Sequence, residues 1–364
     1  MQLKYFKELD GVRGLAAIMV VLFHIKQSGI SNDAVARILY KAGNFGQTGV
    51  ILFFVLSGFL ITRILLISKH KEAYFKKFYI RRSLRIFPLY YLALAIFVIV
   101  VPYFTTGKVV PFSQSWSFWV YLQNIGFTFK WSLTGPNHFW SLAVEEHFYL
   151  VWPFVVYFLS EKWLMRTIGL IVLGSIITRI IMLNMGYGGI FYFTLTTMDC
   201  LAIGGFVALS ERNKWINVRQ TLYIMAATLL LLITNWALFK GEGNDFIQVL
   251  KLPFISVFYM CVISLLVSSV SYLNRFFQSS ILTYTGKISY GLYVFHPLCI
   301  LAVEKYFKGQ PFIVILALIA ITSYSVASIS YYGYEYWFLK QKDRFENFSW
   351  SKNKQKEPGK IDLI

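Results

Sequence analysis

Acidic residues are scarce in this chain. Among 364 residues there are 17 Asp and Glu against 35 Lys and Arg, and charged residues together make up 14%, where about 25% is usual for a soluble domain. So thin a supply cannot cover an ordinary solvated surface, which argues against a cytosolic enzyme, and it leaves no material for an acidic tail or a disordered chain. Cysteine is sparser still: Cys200, Cys261 and Cys299 stand far apart inside apolar stretches, with no spacing that suits a disulfide framework or a zinc site. No Walker or dinucleotide fingerprint is present, nor any periodic repeat or low-complexity linker. What fills the chain is apolar and aromatic, with 57% hydrophobic residues and 34 Phe, 24 Tyr and 10 Trp. That composition belongs in a lipid bilayer.

A spanning helix needs about 20 mostly apolar residues at 1.5 Å per residue. Segments of that kind fall near 12–31, 47–67, 84–104, 138–159, 167–184, 190–209, 219–239, 252–272, 284–303 and 312–337. The expected fold is therefore all-α, a polytopic membrane helix bundle with about ten transmembrane helices. The first segment follows a charged stretch and shows no small-residue processing site, so it is expected to stay in the bundle rather than leave as a signal peptide.

The net charge of +18 invites a nucleic-acid reading, but its placement answers differently. With the N-terminus inside, 24 Lys and Arg fall on the cytoplasmic side and 9 on the other, leaving Arg63 and Arg179 within spans. That bias follows the positive-inside rule and places both termini in the cytoplasm. No nucleic acid is expected. The Lys-rich tail 341–364 is expected to lie against anionic headgroups, and the aromatic stretch 105–137, with Trp116, Trp119 and Trp131, to lie at the outer face, where a short interfacial helix fits.

Ionisable residues inside lipid are costly, so each is a site candidate. In DGVRGLAAIMVVLFHIKQ, Arg13 and His24 are eleven positions apart and return to nearly one helical face, separated by roughly 16 Å of rise. The bland reading makes one an interface anchor and the other a packing hydrogen-bonder. In HFWSLAVEEHFYLVWPF, Glu145 and Glu146 lie deep in a helix with His138 near its mouth, His147 adjacent and Tyr149 one turn on; adjacent acids point about 100° apart, so one can face a cavity while the other finds a structural partner. The stretch KHKEAYFKKFYIRRSLR sets Lys77, Arg81, Arg82 and Arg85 among seven bases and one acid. It suits either anionic lipid or the phosphates of a cytosolic ligand. Asp199 can neutralise Arg179, and Pro297, directly after His296, frees a backbone carbonyl within its span. Ser57 has no base poised to activate it.

The segments LDGVRGLAAIMVVLFH (9–24), GVILFFVLSGFLIT (49–62), RRSLRIFPLYY (81–91), HFWSLAVEEHFYLVWP (138–153) and ISYGLYVFHPL (288–298), in that order, resemble the integral-membrane acyltransferase type 3 family, which moves acyl groups, usually acetyl, onto bacterial cell-surface sugars. The resemblance spans roughly residues 5–338. It implies a transmembrane acyltransferase domain over 1–340 in a bacterial inner membrane. It also implies a donor substrate that is acetyl-CoA or another acyl-CoA, a saccharide or glycolipid acceptor, and no metal. Arg13 and His24 match the family's essential first-span pair, Arg82 and Arg85 its R-x-x-R element beside the donor, and Glu145 with Glu146 its paired acids. His147 stands where many members carry Gln. His24 is then expected to act as general base or transient acyl carrier, oriented by one of the acids, with Arg13 polarising the thioester carbonyl or holding phosphate. Arg81 and Lys77 would extend the donor site, and Trp116, Trp119, His138, Tyr149, Asp199 and His296 would touch the acceptor. Some members carry a further esterase-like domain; none lies in these 364 residues, so the bundle either completes transfer or works with an envelope-biosynthesis partner. The alternative from a different class is a proton-coupled secondary transporter of a polar solute, but no inverted symmetry between halves is visible.

Overall fold

A computed structural model describes residues 4–28, 36, 40, 43–239, 245–268 and 271–346, and within them every regular element is helical. The helices are α1 (Lys7–Ser28), α2 (Thr48–Ser68), α3 (Tyr74–Thr106), α4 (Phe112–Trp119), α5 (Gln123–Thr128), α6 (Trp140–Phe158), α7 (Glu161–Asn184), α8 (Thr194–Arg212), α9 (Val218–Phe239), α10 (Asp245–Val267), α11 (Ser271–Phe277), α12 (Ser280–Lys287), α13 (Ser289–Tyr306), α14 (Phe312–Ser330) and α15 (Tyr336–Glu346). Residues 347–364 of the basic tail lie outside the described residues.

Among the described residues, six helices are long and apolar enough to cross a membrane, or seven if α12 and α13, bent by 80° at their junction, make one span. A described helix overlaps each of the ten segments picked out in the sequence, but only these six or seven qualify as spans, so ten crossings are not shown. Helices α1, α6 and α8 run 22, 19 and 19 residues but carry the acids and bases of the candidate site. They sit inside the bundle, where neighbours rather than lipid meet their side chains, so a polar face costs them less. The third helix begins ten residues earlier than its apolar run, at Tyr74, which turns most of the basic stretch into its first turns. Lys and Arg are good helix formers. The outer segment folds into α4 and α5.

Two seams are closed by glycine. A Cβ on Gly58 of α2 would fall 1.9 Å from the Leu201 carbonyl oxygen of α8, and one on Gly204 of α8 would fall 2.0 Å from that of Val55. On the other side, α1 meets α11 and α12 as closely: a Cβ on Gly11 would lie 1.8 Å from Phe277 O, and one on Gly286 1.9 Å from Asp10 O. Small residues let helix backbones touch in the manner typical of membrane bundles. These contacts hold α1, α2 and α8 as an inner layer, with α6 packed against α2 and α8 and α13 against α1.

Candidate active site

Three helices, α1, α6 and α13, carry polar groups at helical spacing along one face. On α1 these are Arg13 and, eleven residues on, His24; on α6 they are Tyr149, Glu145 with Glu146, Ser141 and, just before the helix, His138; on α13 they are Ser289, Tyr290, Tyr293 and His296. Steps of three, four and seven keep side chains on one side of a helix, so the three faces meet along a common axis. Two polar groupings result, a cavity and a cluster of imidazoles.

The first is a cavity of about 110 Å³ lined by Arg13, Arg82, Arg85, Glu145, Glu146 and Tyr149, with Ser57, Ser141, Ser289, Tyr290, Tyr293 and several apolar side chains completing its wall. Tyr149 is its hub. Its hydroxyl donates to Glu145 Oε2 at 2.9 Å and accepts from Ser57 Oγ, while the Arg82 guanidinium stands 5.2 Å from its ring centroid. Arg13 is steadied by Asp10 one turn back, 3.2 Å away, and Asp10 in turn accepts from Tyr5. Glu146 faces the same cavity and its Oε1 is buried with no hydrogen-bond partner.

The second is a trio of imidazoles. His24 and His296 are 4.7 Å apart by ring centroid, His138 and His296 5.4 Å, and His24 and His138 6.4 Å. His24 Nδ1 lies 2.9 Å from the Val20 carbonyl oxygen and 3.2 Å from His296 Nε2. His138 Nε2 donates to Val294 O at 3.1 Å. Tyr293 stands between the cavity and the trio: it lines the cavity, accepts from Ser141 Oγ at 2.6 Å, donates to the His138 carbonyl, and sets its ring 5.5 Å from that of His138.

The sequence-derived candidates are thus divided. Arg13, Arg82, Arg85, Glu145, Glu146 and Tyr149 meet at one cavity, whereas His24, His138 and His296 meet beyond it. His24 is hydrogen-bonded to an imidazole and a carbonyl, where the sequence suggested an acid. Lys77 is half-buried and Arg81 exposed, and neither lines the cavity. Trp116 stacks on Trp131 at 5.7 Å and Trp119 on Tyr91 at 6.1 Å, both away from the cavity. Asp199 is fully buried in an ion pair with Arg179 and also accepts from the Cys200 amide at 3.0 Å, so it acts within the packing of α7 and α8. His147 binds Thr194 Oγ1 at 2.7 Å. Ser57, Ser141, Ser289, Tyr290 and Tyr293 were not picked out as site residues. Their signal was position alone: Ser141 lies four residues before Glu145 and Tyr293 three before His296. Among the described residues no group of three His, Cys, Asp or Glu side chains is arranged to hold a metal ion.

With this geometry in place, the comparisons with known proteins become informative. Residues 6–332 match the family described as an acyltransferase domain, acyltransferase type 3. The chain is 29% identical over 353 residues to the peptidoglycan O-acetyltransferase OatA of Listeria monocytogenes, covering 90% of this chain and 55% of that protein. It is 25% identical over 355 residues to the O-acetyltransferase OatA of Staphylococcus aureus, covering 90% and 56%. The chain therefore spans about half the length of the curated relatives it matches. No solved structure matches it. With the family match running from the start of α1 to just past α14 and taking in both the cavity and the imidazole trio, the chain belongs to the acyltransferase type 3 family of membrane acyltransferases.

Proposed function

We propose that this chain is an O-acyltransferase that moves an acyl group, by preference acetyl, from cytosolic acyl-CoA to a hydroxyl of a cell-surface or lipid-linked saccharide. The bundle would cross the membrane ten times with both termini in the cytoplasm, residues 1–340 forming the transmembrane acyltransferase domain and 341–364 a basic cytoplasmic tail. The observation that carries this reading is the gathering of Arg13, Arg82 and Arg85 around one cavity. Guanidinium forks suit phosphate oxygens, and this cavity lies at the end of the bundle where α1, α3 and α13 begin, the end to which the excess of basic residues belongs.

In this scheme the donor's phosphates rest against Arg82 and Arg85 and its thioester arm runs along the cavity toward Tyr293. His24 takes the proton of the acceptor hydroxyl on Nε2, the alkoxide oxygen bonds to the thioester carbonyl carbon, and the carbon–sulfur bond breaks to release the thiolate, which is protonated as the donor leaves. Arg13 and the Tyr149–Glu145 pair stabilise charge that builds on the donor side. The printed names of the relatives point to a glycan acceptor. Their extra length leaves room for a partner activity that passes the group onward.

Transfer of radiolabelled acetyl from acetyl-CoA into envelope fractions, in cells expressing the wild-type chain or His24→Ala at equal abundance, tests the reading. Label that enters a glycan with wild type and disappears with the variant is expected. Equal labelling in both sinks the His24 role, and no labelling with any acyl donor sinks the reaction class. Label bound to His24 itself before acceptor is added would replace direct transfer with an acyl-imidazole step.

A further inference from the structure

We infer that His296 and Pro297 act as one unit that fixes the tautomer of His24, making His296 a positioning residue for the base rather than an acceptor contact. The inference rests on the proposed role of His24 as base, but its geometry stands alone.

In an unbroken helix the amide of residue 297 would bond the carbonyl of Tyr293. Proline has no N–H, so that carbonyl is released inside a fully packed helix where water is scarce. The ring of His296 turns back to it: Nδ1 lies 2.8 Å from Tyr293 O and 3.1 Å from Leu292 O. Both neighbours are acceptors only, so Nδ1 must carry the hydrogen. His296 is completely buried, and a neutral imidazole with its proton on Nδ1 has its lone pair on Nε2. That lone pair points at His24 Nδ1, 3.2 Å away.

The consequence passes along the chain of bonds. His24 Nδ1 faces the Val20 carbonyl and the His296 lone pair, again two acceptors, so it too holds a hydrogen. His24 Nε2 is left unprotonated and basic. Val20 O already receives the helix's own hydrogen bond, whereas His296 Nε2 has no competing donor among the hydrogen bonds found, so the imidazole is the dedicated partner. When His24 takes up a proton, its Nδ1–H bond to His296 becomes charge-assisted and stronger. The titratable groups facing this pair are His138 and Tyr293, whose ring centroids lie 5.4 Å and 6.0 Å from that of His296; neither brings an anion against His24. The dipeptide thus couples a backbone defect to a proton acceptor: one residue vacates a carbonyl, and its neighbour is held by that carbonyl in the orientation the base requires.

The test needs a readout that does not depend on turnover. His24 is partly exposed, so its reaction with diethylpyrocarbonate, followed by peptide mass spectrometry across pH in detergent-solubilised full-length protein, reports the fraction of neutral imidazole. Loss of the acceptor disfavours His24 in its charged form, so His296→Leu is expected to move the reactivity midpoint down by about one unit. His296→Gln, whose amide oxygen can still accept, should stay near wild type. Pro297→Ala restores an amide for the Tyr293 carbonyl, loosens the His296 ring and should move the midpoint the same way as His296→Leu. A midpoint that is unchanged or rises in His296→Leu overturns the proposal, as does an equal shift in the Gln variant. Should the Leu variant fail to fold, an unmoved midpoint in Pro297→Ala does so as well. In acyl transfer, kcat is expected to fall ~10- to 100-fold in His296→Leu with KM for acyl-CoA held. A wild-type chain that is inactive with every donor overturns the assigned reaction and leaves the labelling result to judge the tautomer.

Discussion

Tyr149 shows how much one side chain can organise. Its hydroxyl joins Ser57 to Glu145 and its ring lies beneath Arg82, so the two halves of the residue can be separated by mutation. Tyr149→Phe keeps the ring and is expected to leave KM for acyl-CoA within about twofold. Tyr149→Ala removes the cation–π contact as well and should raise KM roughly 3- to 30-fold, on the basis of about 0.5–2 kcal/mol for such a contact. Steady-state kinetics on both variants decides between a hydroxyl role and a platform role. Arg179 and Asp199 offer the opposite case, a fully buried pair outside the cavity. Asp199→Ala strands a guanidinium in the packing and is expected to destabilise the bundle by about 3–5 kcal/mol, read as a lower unfolding temperature, while KM for acyl-CoA in the surviving fraction stays at the wild-type value.

At the scale of elements, the charged candidates were legible because lipid makes every ionisable group conspicuous. Arg13, Glu145, Glu146 and the R-x-x-R pair stood out on that ground and do meet at one cavity. The hydroxyl-bearing wall did not stand out. Ser57, Ser141 and Tyr293 are common in any membrane helix, and only the convergence of α1, α2, α6 and α13 gives them a shared address. The same blindness hid the partner of His24, since 272 positions separate it from His296 and no local periodicity reports such a contact. Ten helical segments were readable from hydrophobic runs, but the 80° bend between α12 and α13 was not, because a short polar stretch at Gly286–Lys287 reads equally as a loop or as a corner. Element packing makes its own prediction. Gly58→Leu drives a side chain into the Leu201 carbonyl of α8, and with overpacking costing about 1–3 kcal/mol or more it should lower folded abundance in the membrane. Gly174→Leu, where nothing stands within 4 Å of the added Cβ, should not. Detergent-extracted yield compared by gel filtration measures both.

For the whole molecule, the proposed orientation follows from charge asymmetry, and it can be checked directly. Single cysteines placed at exposed Lys71 and exposed Val109, in a background where Cys200, Cys261 and Cys299 are replaced, should react with a membrane-impermeant maleimide from opposite sides: the Val109 site in intact cells, the Lys71 site only after the membrane is opened. Labelling of the Lys71 site in intact cells would invert the bundle and with it the proposed donor side.

The glycine seams described for α2 with α8 and α1 with α12 bear on how such a bundle can move. Alternating-access machines rock one half past the other, and rocking needs a sliding surface with side chains that can exchange places. Here carbonyl oxygens occupy the space a methyl group would need, so both seams are backbone-to-backbone contacts. A methyl added at Gly11, Gly58, Gly204 or Gly286 would push apart the backbones that set Arg13 and Ser57 beside the cavity.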